Sequence, residues 1–508
     1  MIFLLALLLV AAVFSTKLSA RFGVPGLLLF LGLGLVAGSD GLGLIAFSDA
    51  SLAKRIADLA LVFVLFESGF HTSGAKLRAA FGPAVTLATA GVAATALALA
   101  AALHFLLRWP LERALLVGAI VSSTDAAALI AMLRQRSIRA RVSTTLEVES
   151  ATNDPMAIML TVVLVETLVS GSPSGARLGP FLLRLAWQFG GGLAIGFAGG
   201  AVARFLFDRL DSENRGYYYA LSIGVALLAF GAADAIGANG IIAVFFAGFR
   251  LGNSEFALKR GVSNFVEGVS SVANLGVFLL LGLLAFPRQF AGVWKEGLAA
   301  AALLTFVARP VAVLLFAAPF RFRFRELVFL AWGGIKGAVP IVLATYPAAA
   351  GLDPDGGIFN VVFFVVLASS LVQGGTLDLA AKVLRLAGGR LPKPPHSLEL
   401  LSRGKTELEL VELRVEPGVR GDGASLRELA LPEGALVSAV MRENAVLAPR
   451  GHTRLAAGDL IYVLAPPEDA TRVAAVVNGP RPESPGTGAA TLPPSAPPLP
   501  AGPGSDRG

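Results

Sequence analysis

Two carboxylates, a hydroxyl and an amide fall on one helical stripe within the run Glu149-Ser-Ala-Thr-Asn-Asp-Pro155. Glu149 and Asn153 are four residues apart, as are Ser150 and Asp154, so both pairs share one face of a helix. The surrounding stretch, 142–170, is apolar enough to cross a bilayer, where ionisable groups are costly. Such groups usually line a polar cavity that carries ions or protons. The stripe therefore indicates an ion pathway.

A second polar run, Val121-Ser-Ser-Thr-Asp-Ala126, interrupts the preceding apolar stretch at 112–133. Serine, threonine and aspartate side chains compete with the backbone for hydrogen bonds, so the run predicts a broken helix. Thr124 and Asp125 then lie near mid-span, where broken helices of transporters present carbonyls and helix ends to an ion. The alternative is an ordinary helix end capped by Thr124 or Asp125.

A matching interruption, Trp332-Gly-Gly-Ile-Lys-Gly-Ala-Val-Pro340, weakens the apolar stretch at 326–347 and places Lys336 within it. This is the fifth of the last six predicted spans, just as 112–133 is the fifth of the first six. Two interrupted helices at corresponding positions predict inverted six-helix repeats whose broken helices cross.

Arg309 lies inside another apolar run, Phe306-Val-Ala-Arg-Pro310. A guanidinium at that depth needs a carboxylate partner, and we predict that Glu149 supplies it. The pairing would hold Glu149 ionised and leave Asp154 free to titrate. The alternative is an arginine that snorkels to the interface. Glu67 is interpreted as a structural charge in the core, with the end of a span as the alternative.

The composition is that of a polytopic membrane protein. Of 508 residues, 55% are hydrophobic and 15% charged, where soluble chains carry about 25% charged residues. The absence of cysteine excludes disulfides and thiolate sites, and the four histidines lack helical metal-ligand spacing. Neither a Walker A run nor a dinucleotide-binding glycine motif occurs, so no cofactor is expected.

About 13 apolar stretches are long enough to span or nearly span a bilayer. The loops between them alternate, about 17 lysines and arginines on one side against about 7 on the other. This bias predicts an N-terminus outside and a C-terminus in the cytoplasm. It also explains the net charge of +7 through contact with lipid headgroups, without nucleic acid.

We predict four regions along the chain: a transmembrane domain at 1–387, a linker at 388–404, a small α+β domain at 405–478 and a disordered Pro/Gly-rich tail at 479–508. In the soluble domain, period-two alternation and apolar runs predict strands near 411–415, 435–441, 446–447 and 459–464. Short helices are expected from Ser425 and over 468–477. A domain this small favours dimerisation.

Several of these motifs resemble a known family. Ser123-Thr-Asp125, Glu149-Ser-x-x-Asn-Asp-Pro155, Ala308-Arg-Pro310 and Gly333-Gly-Ile-Lys-Gly-Ala338 resemble the monovalent cation:proton antiporters of the NhaP and sodium/proton exchanger group. The Asn-Asp-Pro-Met form is most similar to bacterial NhaP-type potassium/proton antiporters. Leu408–Val477 resembles the TrkA-C (RCK C-terminal) domain. One departure is Lys336, where the family usually has arginine.

The resemblance implies a plasma-membrane homodimer with elevator-like exchange of K⁺ or Na⁺ for H⁺, serving cation and pH homeostasis. It implies a cation at Asp154, Ser150, Asp125 and the Thr124 carbonyl, with Glu149 and Asn153 around the site. The neutral Asn153 resembles the electroneutral branch. It also implies that the TrkA-C domain binds a small molecule such as a nucleotide.

Competition at one carboxylate would produce exchange, since either K⁺ or a proton neutralises Asp154 for the crossing. The principal alternative is a cation channel gated by the soluble domain, which would also use broken helices. A membrane-embedded enzyme with Glu149 and Asp154 as acid and base lacks a nucleophile or metal cluster, so we do not expect an enzyme. The soluble domain could instead be a dimerisation module without a ligand.

Overall fold

The computed structural model describes residues 2–22, 26–47, 49–125, 136–170, 178–390, 409–442, 445–466 and 469–479. The chain forms two compact units, one built mainly from the chain up to Lys393 and the other mainly from Thr406 onward. The first is helical apart from one pair of short strands, and the second combines a sheet with a helix. The predicted fold class, a helical membrane domain followed by a small α+β domain, is confirmed.

The helices of the first unit are α1 (Ile2–Phe22), α2 (Gly26–Ala37), α3 (Ala50–His71), α4 (Gly74–Ala79), α5 (Phe81–Thr86), α6 (Val92–Leu107), α7 (Leu111–Ile120), α8 (Ala140–Val169), α9 (Leu178–Arg209), α10 (Arg215–Ala235), α11 (Gly240–Gly252), α12 (Lys259–Leu284), α13 (Pro287–Leu303), α14 (Arg309–Ala317), α15 (Phe324–Trp332), α16 (Ala338–Ala349), α17 (Gly357–Ser369) and α18 (Gly375–Val383).

Seven helical segments of the described residues are long and apolar enough to cross a membrane. They are Phe81–Leu107, Arg141–Val169, Leu182–Arg209, Arg215–Ala235, Lys259–Leu284, Pro287–Phe320 and Gly357–Val383. Shorter apolar helices at Ala6–Thr16, Leu28–Ala37, Gly240–Gly252 and Ala338–Ala349 add to these. The structure therefore has many spans, and the number of 13 stays a prediction.

Three spans contain a π-helical turn at mid-length: Leu87–Gly91 joins α5 to α6, Leu304–Ala308 joins α13 to α14, and Ser370–Gly374 joins α17 to α18. A π turn widens a helix by one residue and frees backbone groups, and such turns are common at functional sites. The second turn comes directly before Arg309 and the third contributes Ser370 and Gln373 to the second break, so two of them adjoin the polar centre described below.

Close backbone contacts join α3 to α11 and α2 to α12. A Cβ atom on Gly248 or Gly252 of α11 would overlap the carbonyl oxygens of Phe66 or Phe70 on α3. In the same way, a Cβ atom on Gly34 of α2 would overlap the backbone of α12 at Leu279 and Gly282. Without side chains between them, the paired helices pack at short distance.

A two-stranded antiparallel ribbon closes the first unit. Strand β1 (Arg136–Ile138) precedes α8, and β2 (Ala387–Arg390) follows α18. The predicted linker begins at 388, but its first residues belong to this ribbon because they pair with β1. The rest of the linker lies outside the described residues, as do the predicted tail from 480 onward and residues 126–135 of the span predicted at 112–133.

The second unit is a four-stranded antiparallel sheet in the order β3-β6-β4-β5, followed by α19 (Ala470–Asn478). The strands are β3 (Glu409–Arg414), β4 (Leu436–Arg442), β5 (Ala445–Leu447) and β6 (Leu460–Ala465). The four predicted strands and the closing helix are present. The short helix expected from Ser425 is wrong: the segment forms turns, in which the Glu428 amide bonds the Ser425 carbonyl and the Glu428 carboxylate bonds the Ser425 amide.

Candidate functional site

Both predicted helix breaks are present, and they meet. Helix α7 ends at Ile120 and the chain continues without helical structure to Asp125, while Gly333 to Gly337 separate α15 from α16. The Asp125 amide donates to the Ile335 carbonyl at 2.8 Å, which joins the two breaks. A Cβ atom on Gly337 would overlap the Asp125 carboxylate, so only glycine allows this approach.

Lys336 is buried and bridges the two breaks. Its Nζ donates to the Ser123 carbonyl at 2.7 Å. The Lys336 amide donates to the Ser369 hydroxyl at 3.1 Å, and the Lys336 carbonyl accepts from the Ser370 hydroxyl at 3.0 Å. The ammonium therefore lies just beyond the C-terminus of α7, where the helix dipole favours a cation. The same Nζ also donates to the Ser122 carbonyl at 3.4 Å, and an ammonium that bonds two successive carbonyls does not need the forked geometry of arginine, so lysine suits this position.

A closed hydrogen-bond network joins the first break to α8. Asn153 Nδ2 donates to Thr124 Oγ1 at 2.6 Å, and Thr124 Oγ1 lies 2.9 Å from Ser150 Oγ. Ser150 Oγ donates to the Thr124 carbonyl at 2.8 Å. All three residues are buried. Asn153 and Ser150 thus fix the Thr124 backbone, and Pro155 one turn on withdraws the amide that would otherwise bond the Ala151 carbonyl.

Glu149 and Arg309 form a buried bidentate ion pair. The Nη1–Oε1 and Nη2–Oε2 distances are 2.6 and 2.9 Å, and the side chains of Glu149 and Arg309 are 0% and 3% exposed. Arg309 Nη2 also donates to the Leu330 carbonyl at 3.3 Å. The predicted pairing is present. Both carboxylate oxygens of Glu149 therefore accept hydrogen bonds from the Arg309 guanidinium.

Asp154 lies at the inner end of a cavity of about 540 Å³. The cavity is also lined by Ser123, Thr124 and Asp125 from the first break and by Gly337 from the second. Asp154 lies beside Ser123 and within electrostatic reach of Asp125 and Lys336. The structure thus brings together Asp154, Ser150, Thr124 and Asp125 on one wall, with Glu149, Asn153, Arg309 and Lys336 behind it.

Charged residues surround the other end of the cavity. His71 Nδ1 lies 2.8 Å from Glu67 Oε1, and Lys76 Nζ lies 2.7 Å from Glu147 Oε1. Glu67, expected as a charge in the core, is instead 25% exposed in its side chain and lines this end, since its pairing with His71 needs no full burial.

Sequence reasoning missed the wall that α12 contributes to the cavity. Glu267, Ser270, Ser271 and Asn274 line it. Their spacing is that of one helical stripe, the same signal that identified α8. This stripe could therefore have been found from the sequence. His71 carried no comparable signal, because its role depends on contacts with Glu67 and with Ser263 of α12 at 2.9 Å.

Metal-ion chemistry of the catalytic kind finds no support in this geometry. Within the described part of the chain, histidine, aspartate and glutamate form no group of three that could hold a metal ion. The oxygens around Asp154 are hydroxyls, carbonyls and carboxylates, which suit hard cations.

Comparison with known proteins decides the family. The transmembrane sodium/hydrogen exchanger model matches residues 5–383, which contain both breaks, the α8 stripe and Arg309. The chain belongs to the sodium/hydrogen exchanger family. The TrkA-C domain model matches residues 410–478, the second unit of this exchanger-family protein. Both resemblances predicted from the motifs are confirmed.

Individual relatives of this exchanger-family chain are similar over most of its length. It is 39% identical over 468 residues to the K(+)/H(+) antiporter NhaP2 of Shewanella sp. (strain MR-4), which covers 90% of this chain and 80% of the relative. It is 32% identical over 483 residues to the K(+)/H(+) antiporter NhaP of Alkalimonas amylolytica, covering 94% and 83%. Its fold matches the sodium proton antiporter MjNhaP1 from Methanocaldococcus jannaschii with a TM-score of 0.68 and 25% identity, over 75% of this chain and 98% of the other.

Proposed function

We propose that this protein exchanges a monovalent cation, preferentially K⁺, for H⁺ across the plasma membrane, with Asp154 as the carboxylate that carries each in turn. One observation carries the proposal: Asp154 lies at the inner end of a water-accessible cavity while the other nearby acid on its helix, Glu149, is held by Arg309. The family supports antiport, and the relatives named for K(+)/H(+) exchange favour K⁺.

The mechanism is competition at Asp154. A cation binds only when the carboxylate is deprotonated, and a proton displaces the cation. Ser150 and Asn153 hold the Thr124 carbonyl and hydroxyl oxygens of the first break in place. Asp125 adds a second carboxylate to the cavity wall. The site can move between the two membrane faces when a cation or a proton neutralises Asp154. Moving the bare carboxylate would cost the desolvation free energy of a charge. One cation is then exchanged for one proton.

The direction in which the site faces follows from the loop charges. The cavity is lined at one end by the last turns of α3 and by Lys76 at the start of the chain that follows it. Positive loops face the cytoplasm, so this end is proposed to be cytoplasmic and the N-terminus external, with the TrkA-C unit in the cytoplasm. An elevator-like movement of the helix breaks against the remaining helices would present Asp154 to the other side.

The assembly and regulation are proposed by analogy. We propose a homodimer embedded in the bacterial plasma membrane, with the TrkA-C unit binding a small regulatory molecule such as a nucleotide. Calorimetry on the full chain with nucleotides tests the ligand. Cross-linking in native membranes tests the dimer.

The deciding experiment measures proton flux in proteoliposomes with a pH-sensitive dye, driven in turn by K⁺, Na⁺ and Rb⁺ gradients. Asp154→Asn should abolish flux. Asp378→Asn is the matched control, because this half-exposed aspartate pairs with Lys382 away from the cavity and should leave flux unchanged. Flux that persists in Asp154→Asn would refute the assignment. Single-channel currents would favour a gated channel instead.

A further inference from the structure

The oxygen atoms of the first break differ in whether they already accept hydrogen bonds. The Ser123 carbonyl accepts from Lys336, the Thr124 carbonyl accepts from Ser150, and Thr124 Oγ1 accepts from Asn153. These bonds hold the segment in place. A cation that approaches these carbonyls must share them with the donors that already use them.

The Ser123 hydroxyl is different. Ser123 is 0% exposed and lines the cavity, and its hydroxyl lies against the Asp154 carboxylate. Its Oγ makes no well-aligned hydrogen bond to any other described residue. A buried hydroxyl whose one polar neighbour is a carboxylate can turn its oxygen toward a water or an ion bound at that carboxylate. Its backbone is fixed by the Lys336 contact, while rotation about χ1 moves the hydroxyl alone.

We propose that the Ser123 hydroxyl is a direct ligand of the transported cation and determines how strongly that cation competes with the proton at Asp154. This inference rests on the proposed antiport at Asp154. A neutral oxygen next to a carboxylate lowers the cost of dehydrating a monovalent cation, and it completes a cage that the carboxylate alone leaves open. A proton needs no such cage. Loss of the hydroxyl should therefore weaken cation binding and leave protonation intact.

The first test compares Ser123→Ala with Ser122→Ala in proteoliposomes. Ser122 is the matched control, because its hydroxyl donates to the Ala119 carbonyl of its own turn at 2.6 Å. Ser123→Ala should raise the KM for K⁺ about tenfold with little change in Vmax, which is the expected effect of losing one hydrogen-bond-strength contact to a charge. Ser122→Ala should retain the wild-type KM. Ser123→Thr keeps the hydroxyl and should bring the KM back toward the wild-type value.

A second test does not depend on transport. The chain has no cysteine, so Ser123→Cys introduces a single thiol. In purified protein, a small thiosulfonate reagent should modify this thiol, and K⁺ at a concentration well above the KM of the Ser123→Cys variant should slow the modification relative to choline at equal ionic strength. An equal rate in both salts would overturn the proposal. This arm also decides the question if Ser123→Ala does not fold.

The two proposals fail in different ways. If Asp154→Asn retains exchange, the proposed function itself is wrong. If Asp154→Asn is inactive while Ser123→Ala has the same KM for K⁺ and Na⁺ as Ser122→Ala, antiport at Asp154 stands and the role of Ser123 is refuted.

Discussion

Glu149 and Arg309 stabilise each other at a depth where neither could remain charged alone. Their bidentate contact satisfies both carboxylate oxygens, and both side chains are buried. The pair is weak support for stability in itself, because dehydrating two ions costs about as much as their attraction returns. Removing one partner is strongly destabilising, because the other charge then stays buried without a counter-ion.

Arg309→Ala should therefore destabilise the protein by roughly 3–5 kcal/mol, the usual cost of a buried charge left alone. Thermal unfolding in detergent measures this loss. The double variant Glu149→Leu with Arg309→Met removes both charges and should recover most of the stability. A single Arg309→Ala variant as stable as wild type would contradict the pairing as a structural requirement.

In the proposed mechanism, Asp154 couples the cation concentration to the pH dependence of exchange. The cation binds only the deprotonated carboxylate, so added cation favours deprotonation, and the acidic limb of the pH profile moves to lower pH. Above the KM, each tenfold increase of K⁺ should move that limb by about one pH unit. Choline at equal ionic strength is the control. If the acidic limb stays at the same pH as the K⁺ concentration changes, the proton and the cation bind to different residues.

Much of this chemistry could be predicted from residue types, but its geometry could not. A guanidinium in an apolar run requires an acid, so the sequence was sufficient to select Glu149 for Arg309. No such rule assigns Asn153 to Thr124 or Lys336 to the Ser123 carbonyl. Those contacts depend on how two breaks cross, a tertiary arrangement that sequence spacing leaves open. For the same reason the sequence left Glu67 open between a charge in the core and the end of a span, and the second is closer to its place near the end of α3.

At the scale of elements, α11 and α3 pack through glycine. A Cβ atom on Gly252 would overlap the backbone of Phe70, which cannot move without shifting the helix. Gly252→Ala should cost about 1–3 kcal/mol through this overpacking, measured as a lower unfolding temperature in detergent. Gly276→Ala should be neutral or slightly stabilising, because a Cβ atom at this position would have no neighbouring atom within 4 Å. Equal effects of the two changes would contradict the close packing.

A second contact between elements joins α16 to α3. The Tyr346 hydroxyl of α16 donates to Asp58 of α3, which also accepts from Lys54 at 2.7 Å. The Lys54 ammonium lies 4.2 Å from the centre of the Tyr346 ring. Because α16 follows the second break, this cluster must separate if the breaks move relative to α3.

Tyr346→Phe should therefore favour the opposite-facing state. A single cysteine at Ala151, which lines the cavity, can be labelled with a membrane-impermeant maleimide from either side of vesicles. Tyr346→Phe should decrease labelling from the cytoplasmic side and increase it from outside. Tyr217→Phe, an exposed tyrosine, is the control. Unchanged labelling in Tyr346→Phe would show that the cluster does not restrain the movement.

The breaks themselves were predictable, whereas the π turns were not. Serine, threonine, aspartate and glycine in mid-span weaken a helix wherever it packs, so Ser122–Asp125 and Gly333–Gly337 could be found from the sequence. Leu304-Thr-Phe-Val-Ala308 contains only one such residue, Thr305, and its π conformation depends on its neighbours.

For the molecule as a whole, the family assigns transport to the first unit and the TrkA-C match suggests a ligand-binding role for the second. A chain ending at Lys393 keeps β2, which pairs with β1 next to α8. It should retain exchange in proteoliposomes and lose any response to nucleotides that the full chain shows. A chain ending at Val383 lacks β2 and should be less stable. Loss of exchange in the Lys393 truncation would contradict an independent transport unit.

The buried Glu149–Arg309 pair has an energetic consequence for the cell. A membrane potential does work only on net charge, about 2.3 kcal/mol per elementary charge for each 100 mV. Glu149 cancels Arg309, Asp125 and Lys336 bear opposite charges, and Asp154 crosses with either K⁺ or H⁺. The proposed cycle thus moves no net charge, and voltage cannot drive it. Exchange stops when the K⁺ ratio across the membrane equals the proton ratio, so the pH gradient alone sets the K⁺ gradient that this exchange can maintain.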